Sequence, residues 1–457
     1  MILVPSLAGK AVAVMGLGKS GTATARALAA SGAGVLAWDD NEGARRIAAE
    51  DGIAIADFSV VDVAKAALVV WSPGIPHTWP APHPVAQRAR AAGVPILCDV
   101  ELLALAKPAA HFLAVSGTNG KSTTTTLLAH VLAECGRECA AGGNLGTAAL
   151  AMPELGPDGR YVLELSSYQL ELVDTLSLDV AVLLNITPDH LARHGGLDGY
   201  VASKRRMFAQ VKPGGTAVVG VDDEHCRAIA DELAAKGRRV VRISAERVLD
   251  KGVSAPDGVL LDDGRPMCDL KAVARLPGRH NWQNACAVYA CARADGIAPE
   301  AIAEALVSYP GLAHRQELVA EIDGVVYVND SKATNADAAE KALVCYDHVY
   351  WIIGGQAKEG GIASLQRHFG RIVHAFLIGE AADQFAATLD GKVAFTRSGT
   401  LAAAVAAARE RALADGHEDA VVLLSPACAS WDQFKSFEHR GQAFRDLVDA
   451  MPGRRRA

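Results

Sequence analysis

The sequence predicts an α/β fold built of three domains. Short apolar strands followed by helical stretches recur from one end of the chain to the other, which is the pattern of parallel sheets with crossover helices. Glycine-rich turns stand between a strand and a helix in two places, as in folds that bind phosphorylated ligands. The chain has 457 residues, more than one hydrophobic core usually organises.

The first predicted domain, residues 1–100, has the strand order of a Rossmann-like unit. Its predicted strands are AVAVMGLG (11–18), GVLAWDD (34–40), ALVVWSPG (67–74) and VPILCD (94–99). A GxGxxG motif covers 16–21 and includes Lys19 and Ser20, while Asp39 and Asp40 end the next strand near the distance usual for a ribose-binding carboxylate. A lone GxGxxG is weak evidence for a dinucleotide, and a purely structural tight turn is the alternative.

The second predicted domain, residues 101–311, carries the strongest motif. Gly117-Thr118-Asn119-Gly120-Lys121-Ser122-Thr123 lies between an apolar strand and a helix. The backbone N–H groups of such a loop point at phosphate oxygens, and Lys121 adds a positive charge. The hydroxyl of Ser122 or Thr123 can reach a magnesium ion. We therefore predict a P-loop-type ATPase domain with a mainly parallel sheet, although the first glycine of a strict Walker A motif is replaced by Val115.

Acidic and imidazole side chains follow two apolar strands of this second domain. Glu164 lies in YVLELSS (161–167), and Asp189 and His190 come after AVLLNIT (181–187). The carboxyl ends of strands are where α/β sheets place their sites, so these groups could hold a cation against phosphate. Lys204, on a predicted helix, reads on its own as a solvated helical lysine. Two more elements are predicted here, the strand TAVVGVDD (216–223) and the helix at 281–296.

The third predicted domain, residues 312–457, is a second Rossmann-like α/β unit. Its predicted strands are GVVYVND (324–330), YWIIGG (350–355), HAFLIGE (374–380) and AVVLLSP (420–426). Polar clusters suited to anions follow these strands at 330–335 and 354–358. Cys428 follows the last strand, but no partner base can be identified, so we do not predict a nucleophile.

Charge and cysteine content limit the possible locations and partners. The formal net charge of −7 gives no general basis for binding nucleic acid or membranes. Nine scattered cysteines without a CxxC pair indicate reduced thiols, and we expect no secretory signal from the short apolar run at the N-terminus. Residues 66–87 are uncharged, but their prolines exclude a membrane helix. We expect a cytoplasmic monomer that binds only small molecules.

A series of motifs resembles the Mur ligase family. In chain order they are GTNGKST, LELSSYQLE, NITPDH, the lysine of YVASK, GRHNWQN, LAHR, NDSKATN and SPACASWDQFKSFEHRG, and they span nearly the whole chain. The last two resemble those of the D-glutamate-adding members. The resemblance implies ATP-dependent ligation of D-glutamate to UDP-N-acetylmuramoyl-L-alanine through an acyl phosphate, with Mg²⁺ or Mn²⁺, in peptidoglycan precursor synthesis.

The resemblance also implies roles for matching residues, of which Lys121, His190 and Lys204 would be catalytic. The implied ATP site is Gly117, Thr118, Asn119, Gly120, Lys121, Ser122, Thr123, Asn281, Asn284, Arg315 and Asp330. The implied site for the UDP-linked substrate is Lys19, Ser20, Asp39, Asp40, Ser72, Pro73, Gly74, Asn144, Ser166, Ser167 and Gln169. The implied D-glutamate site is Lys332, Thr334, Lys358, Ser430 and Phe437. The implied metal-associated residues are Ser122, Thr123, Glu164, His190 and Lys204.

Lys204 matches the family lysine that is carbamylated. An ammonium group would repel a magnesium ion, whereas a carbamate is an anion that can ligate it. Carbamate formation requires a neutral amine, so the resemblance implies that the surroundings of Lys204 lower its pKa.

Three alternatives to this assignment differ in class. The first is a sibling ligase that adds alanine or diaminopimelate, or a folate polyglutamylating enzyme with the same core; NDSKATN and SPACAS disfavour it, and no DNPR run is present. The second is a nucleotide-dependent dehydrogenase, suggested by the first GxGxxG. The third is a nucleotide-gated binding module without catalysis.

Overall fold

The computed structural model describes residues 1–144, 146–273, 275–357 and 360–455. Within these residues the strands form three sheets, and the predicted α/β class with mainly parallel sheets is confirmed. Contacts between Cα atoms group the chain into two compact units, Met1–Leu270 with Asn281–Tyr309, and Lys271–His280 with Pro310–Ala457. The first two sheets lie in the first unit and the third in the second. The domain boundaries at 100/101 and 311/312 stay a prediction.

The first sheet has the strand order β2-β1-β3-β4, and all its neighbours are parallel. Its strands are β1 (Ala11–Met15), β2 (Gly34–Trp38), β3 (Leu68–Trp71) and β4 (Ile96–Leu97). Its helices are α1 (Lys19–Ala30), α2 (Glu42–Glu50), α3 (Pro84–Ala91) and α4 (Asp99–Ala106). The GxGxxG turn leads from β1 into α1 and closes tightly, because a Cβ atom on Gly21 would lie 1.8 Å from the carbonyl oxygen of Gly16.

The second sheet has the order β13-β12-β11-β10-β9-β8-β5-β7-β6. Its strands are β5 (His111–Ser116), β6 (Cys139–Gly143), β7 (Arg160–Glu164), β8 (Leu178–Leu183), β9 (Val211–Gly220), β10 (Arg239–Ser244), β11 (Val253–Ser254), β12 (Val259–Asp262) and β13 (Arg265–Asp269). Strands β5 to β11 pair in parallel, and β12 and β13 add an antiparallel edge. Because β5 lies between β7 and β8, the chain segments that leave these three strands are neighbours.

The helices that accompany the second sheet vary widely in length. They are α5 (Lys121–Glu134), α6 (Ser167–Leu170), α7 (Leu191–His194), α8 (Leu197–Arg205), α9 (Glu224–Ala235), α10 (Arg279–Ala294) and α11 (Pro299–Val307). Short 3-10 helices across the chain are Pro5–Leu7, Val63–Lys65, Ala149–Ala151, Arg206–Gln210, Leu270–Ala272 and Ala363–Arg371. No helix in the described residues has both the length and the apolar character needed to cross a bilayer.

The third sheet has the order β14-β15-β19-β16-β17-β18, and only the β14–β15 pair among its described strands is antiparallel. Its strands are β14 (Glu317–Ile322), β15 (Val325–Asn329), β16 (Val349–Gly354), β17 (Ile372–Ile378), β18 (Phe395–Gly399) and β19 (Val421–Leu424). Its helices are α12 (Ala336–Leu343), α13 (Ala382–Leu389), α14 (Leu401–Asp415) and α15 (Phe437–Asp449). The loops that leave β15, β19 and β16 are therefore adjacent.

Strand β19 is buried on both faces, as expected for a central parallel strand. Its side chains alternate between two cores: Leu423 packs in one, which includes Trp351 and Phe385, while Val422 and Leu424 pack in the other. This strand therefore supports the loop after it from both sides.

We expect Leu423→Ala to lower the free energy of unfolding by about 2–5 kcal/mol, because the residue is fully buried and its loss leaves a cavity. Urea unfolding followed by tryptophan fluorescence measures the change. Leu413→Ala, in α14 and 44% exposed, is the matched control and should leave stability within about 0.5 kcal/mol of the wild type. Equal losses in the two variants would contradict the burial argument.

Candidate active site

The glycine-rich loop after β5 is wound around a hydrogen-bonded lysine. Gly117 and Gly120 adopt φ angles of +153° and +84°, which favour glycine. The Lys121 Nζ donates to the carbonyl oxygens of Gly117 (2.9 Å) and Thr118 (2.8 Å). Helix α5 begins at Lys121, so the N–H groups of its first turn and the lysine charge occupy one small region. This arrangement suits a polyphosphate.

Residues outside the motif fix the shape of the loop. The amide nitrogen of Asn119 donates to the side-chain oxygen of Asn185 (2.9 Å), and the Asn185 amide donates to Gln283 Oε1 (3.1 Å). Gln283 in turn donates to Asp222 (3.0 Å). None of Asn185, Gln283 and Asp222 was assigned a role from the sequence. Asn185 and Gln283 lie inside the quoted NITPDH and GRHNWQN segments, which was the available signal.

Two of the predicted ATP-binding residues, Asn281 and Asn284, lie on α10 beside this loop. The Asn284 amide donates to Asn281 Oδ1 at 3.1 Å, and both side chains are buried. A Cβ atom at Gly120 would lie 2.3 Å from Asn284 Oδ1, so only glycine permits this close approach. The structure thus brings the loop and these asparagines together.

Lys204 on α8 is a buried lysine of the same group, which corrects its interpretation as a solvated helical residue. It is 1% exposed, and its Nζ donates to the Gly117 carbonyl oxygen at 2.8 Å. Burial and the nearby charge of Lys121 lower the pKa of Lys204 to about 7. A substantial fraction of neutral amine is therefore present at neutral pH.

Glu164 ends β7 next to the loop and has a free oxygen. Its Oε1 accepts a hydrogen bond from the Asn144 amide at 2.7 Å. Its Oε2 is buried and has no hydrogen-bond partner among the described residues. Ser122 and Thr123, also predicted to be metal-associated, are buried in the first turn of α5. A buried carboxylate oxygen without a donor favours a cation as its partner.

The described residues contain no group of three or more His, Cys, Asp or Glu side chains placed to hold a metal ion. His190, the other predicted metal-associated residue, has a positive φ of 50° and lies just before α7. Burial lowers the pKa of His190, so the imidazole is neutral at pH 7 and able to accept a proton. Its ring lies 5.1 Å from that of Tyr168.

A cavity of about 340 Å³ collects most of the residues predicted to bind the UDP-linked substrate. Those that line it are Lys19, Ser20, Pro73, Gly74, Asn144, Ser166 and Gln169. Tyr168 also lines it and was missed from the sequence. The turn at 166–169 is held by a capping box, in which Ser166 and Gln169 bond reciprocally. The cavity thus has polar groups at defined positions.

The other four predicted residues of this group make structural contacts. Asp39 accepts hydrogen bonds from the backbone N–H groups of Leu17 (2.7 Å) and Asn41 (2.8 Å), which occupies both carboxylate oxygens. Asp40 is exposed and lies 3.0 Å from His83 Nε2. Ser72 lies so close to Gly16 that a Cβ atom on Gly16 would be 2.4 Å from the Ser72 Cβ atom. The Ser167 hydroxyl oxygen lies 2.9 Å from His194 Nε2.

In the second unit, the described residues of the predicted D-glutamate site lie after β15, after β19 and at the start of α15. Lys332 follows β15, and its Nζ lies 5.7 Å from the ring centroid of Phe437 at the start of α15. The backbone N–H of Thr334 donates to the Lys332 carbonyl oxygen at 2.9 Å. Ser430 is buried in the loop after β19. Lys358 lies outside the described residues.

Arg440 on α15 holds these loops together and was not predicted. It is 1% exposed and donates to the carbonyl oxygens of Ser331 (2.9 Å) and Cys428 (3.0 Å) and to the Ser331 hydroxyl (3.0 Å). The Ser331 hydroxyl donates to the Phe437 carbonyl oxygen at 2.8 Å. The only sequence signal for Arg440 was its place in the SFEHRG segment of the last motif. The segment does not reveal which residues Arg440 contacts.

Asp330 and Arg315 complete the predicted residues of the second unit. Asp330 is buried and accepts hydrogen bonds from the Ser425 hydroxyl (2.7 Å) and the backbone N–H of Gln316 (3.2 Å). Burial raises the pKa of Asp330 to about 7, against the opposing effect of Ser425 and Arg315. Burial also raises the pKa of Cys428 to about 12, which agrees with excluding it as a nucleophile.

Comparison with known proteins identifies relatives over the whole chain. The Mur ligase middle domain matches residues 115–292, and the Mur ligase, glutamate ligase domain matches residues 314–428. A protein of Paramagnetospirillum magneticum named "UDP-N-acetylmuramoylalanine--D-glutamate ligase" is 71% identical, covering 99% of both chains. A Rhodospirillum rubrum protein of the same name is 56% identical, covering 98% of both.

A solved structure supports the fold. The crystal structure of UDP-N-acetylmuramate-alanine ligase from Thermotoga maritima has a TM-score of 0.58 and 18% identity, and the match covers 96% of this chain and 99% of that one. The matching domains and the relatives confirm the family predicted from the motifs, and the dehydrogenase alternative is not supported. The chain belongs to the Mur ligase family.

Proposed function

We propose that this chain catalyses the ATP-dependent ligation of D-glutamate to UDP-N-acetylmuramoyl-L-alanine. The observation that carries the proposal is the 71% identity, over 99% of both chains, to a relative whose name states this reaction. The arrangement of residues supports it, because the first unit holds Lys121 at a glycine-rich loop and a polar cavity, and the second unit holds Lys332 near Phe437. Release of ADP and phosphate and a role in peptidoglycan precursor synthesis follow from the same proposal.

The first chemical step is activation of the substrate carboxylate. A carboxylate resists attack by an amine because it is negatively charged and has no viable leaving group. Transfer of the γ-phosphoryl group of ATP to this carboxylate removes both obstacles and gives an acyl phosphate. Lys121 and the N-terminus of α5 stabilise the charge that develops on the transferred phosphoryl oxygens.

Residues of the first unit fit a divalent cation beside this loop. Glu164, with its Oε2 unpartnered among the described residues, the hydroxyls of Ser122 and Thr123, and Lys204 as a carbamate would hold Mg²⁺ or Mn²⁺, with His190 nearby. The bound cation would supply charge neutralisation between the phosphate oxygens. Lys204 is suited to carbamylation, because its pKa of about 7 leaves much of the amine neutral.

The second chemical step is attack of the amine of D-glutamate on the acyl phosphate. The ammonium group must first lose a proton, and neutral His190 is the acceptor that we propose. In the second unit Lys332, Thr334, Lys358, Ser430 and Phe437 would receive D-glutamate, with Lys332 and Lys358 opposing its carboxylates. Asn281, Asn284, Arg315 and Asp330 would bind the nucleotide of ATP. The proposal includes a cytoplasmic monomer whose partners are small molecules.

The test of the function is a coupled assay. We expect the protein to release phosphate from ATP in the presence of UDP-N-acetylmuramoyl-L-alanine and D-glutamate, with a product whose mass equals both substrates less one water. L-Alanine, L-glutamate and diaminopimelate serve as alternative amines and should give no product. Product with diaminopimelate in place of D-glutamate would support the sibling ligase.

In the same assay, Lys121→Ala should lower kcat/KM by about a thousandfold, because the transferred phosphoryl group loses its principal cation. Lys236→Ala is the control. It removes a 63% exposed side chain at the C-terminal end of α9 and should behave as wild type. A binding module without catalysis would release no phosphate with either protein.

Lys204 should form a carbamate that depends on pH. A neutral amine reacts with CO₂, and the neutral fraction grows as pH rises through the pKa of about 7. At fixed CO₂ pressure, labelling with ¹³C-CO₂ should give a carbamate NMR signal that increases from about pH 6 to about pH 8. Lys204→Arg should lack this signal and lose activity. A signal of equal size in the arginine variant would disprove the assignment.

Lys332→Ala should raise the KM for D-glutamate by about tenfold or more, because a carboxylate loses its counter-ion. The KM values for ATP and for the UDP-linked substrate should stay within about twofold of wild type. Lys392→Ala, an exposed lysine of the same unit, is the control. An unchanged KM for D-glutamate would remove Lys332 from the proposed site.

A further inference from the structure

Glu171, directly after α6, lies at the centre of a buried group of basic side chains. Its Oε1 accepts a hydrogen bond from His194 Nδ1 at 2.7 Å, and its Oε2 lies 2.9 Å from His77 Nε2 and 3.5 Å from the Arg193 guanidinium. The side chain of His194 is fully buried and that of His77 is 4% exposed. Burial raises the pKa of Glu171, but the hydrogen bond from His194 and the close approach of His77 outweigh it and hold the pKa at about 2.

The partners of Glu171 come from two separate segments, one of which begins at the cavity while the other packs against the cavity residue Tyr168. His77 lies in the turn after β3, four residues beyond Pro73, which lines the cavity. Arg193 and His194 end the short helix α7 that begins directly after His190. Because an ionised carboxylate with several partners in a dry environment is costly to separate from any of them, Glu171 holds these segments in a fixed relation.

The contact extends from His194 to the cavity wall. With Glu171 ionised, His194 donates to it through Nδ1, and the Nε2 of the same ring lies 2.9 Å from the Ser167 hydroxyl oxygen. The His194 ring stacks on Tyr168 with 5.4 Å between centroids, and the Arg193 guanidinium lies 4.9 Å from the same ring. Tyr168 lines the cavity and also contacts His190.

Ser167, His194 and Glu171 follow one another like the members of a hydrolytic triad. However, Ser167 is 4% exposed, and the cavity is lined by its neighbours Ser166 and Tyr168. A nucleophile must reach its substrate, so this serine does not act as one. The contacts from Glu171 through His194 to Ser167 instead support the turn that carries Ser166 and Gln169.

We propose that Glu171 is a positioning residue for the UDP-linked substrate. Glu171 fixes the position of the Tyr168 ring through His194. It also holds the turn that carries Pro73 close to this ring through His77. The inference rests on the proposed function for the identity of the ligand. Glu171 itself touches no reacting atom.

The test measures binding and turnover in the full-length protein. Calorimetric titration with UDP-N-acetylmuramoyl-L-alanine in the absence of ATP should show about tenfold or more weaker binding for Glu171→Gln, because the amide loses the charge that orients His194 and Arg193. The KM for this substrate should rise by the same factor, while the KM for ATP stays within about twofold. Asp174→Asn, with a 68% exposed side chain three residues away, is the control and should match wild type.

His194→Asn provides a second variant in case Glu171→Gln does not fold. It keeps a short amide donor for Glu171 but removes the contacts with Ser167 and Tyr168, so we expect the same weakening. The double variant should bind no more weakly than either single variant, because the effects of substitutions at residues that act through the same contacts do not add. Wild-type affinity in the folded variants, or a lower melting temperature alone, would overturn the inference. Failure of wild-type protein to bind the UDP-linked compound would instead overturn the proposed function.

Discussion

Two lysine side chains converge on one carbonyl oxygen, and the chemistry of the first unit depends on this arrangement. Lys121 and Lys204 both donate to Gly117, at 2.9 and 2.8 Å, beside the N-terminus of α5. Burial of the amine and, after it, repulsion from the charge of Lys121 lower the pKa of Lys204. A polyphosphate relieves the repulsion by supplying opposite charge.

Glycine and amide side chains keep this crowded loop from collapsing. Gly120 lets Asn284 approach to a distance that any Cβ atom would prevent, and Asn185 accepts from the loop at Asn119. Glu164 lies one strand away with an oxygen that lacks a donor among the described residues. The loop thus combines excess positive charge on one side with a buried acidic oxygen on the other, which is the environment that a metal–nucleotide complex requires.

The fold was largely predictable because apolar runs mark the buried parallel strands. Every strand predicted from such a run is present, from β1 to β19. Strands β6, β10, β11, β12, β13, β14 and β18 were not predicted, because they are short or, like RVVRIS and RPMCD, mix charged with apolar residues. The motif loops were predictable for a similar local reason. Gln283, Glu171 and Arg440 were not, since each acts through partners from distant parts of the sequence that no local pattern reveals.

Arg440 binds the loops of the second unit almost wholly through main-chain carbonyl oxygens and one serine hydroxyl. Carbonyl oxygens are common to all residue types, so the side chains on these loops can change while the loop framework survives. Selectivity for the incoming amine is thereby separated from the stability of the scaffold. Evolution or protein engineering could alter which amine is chosen by substitutions on these loops, provided that Arg440 is retained.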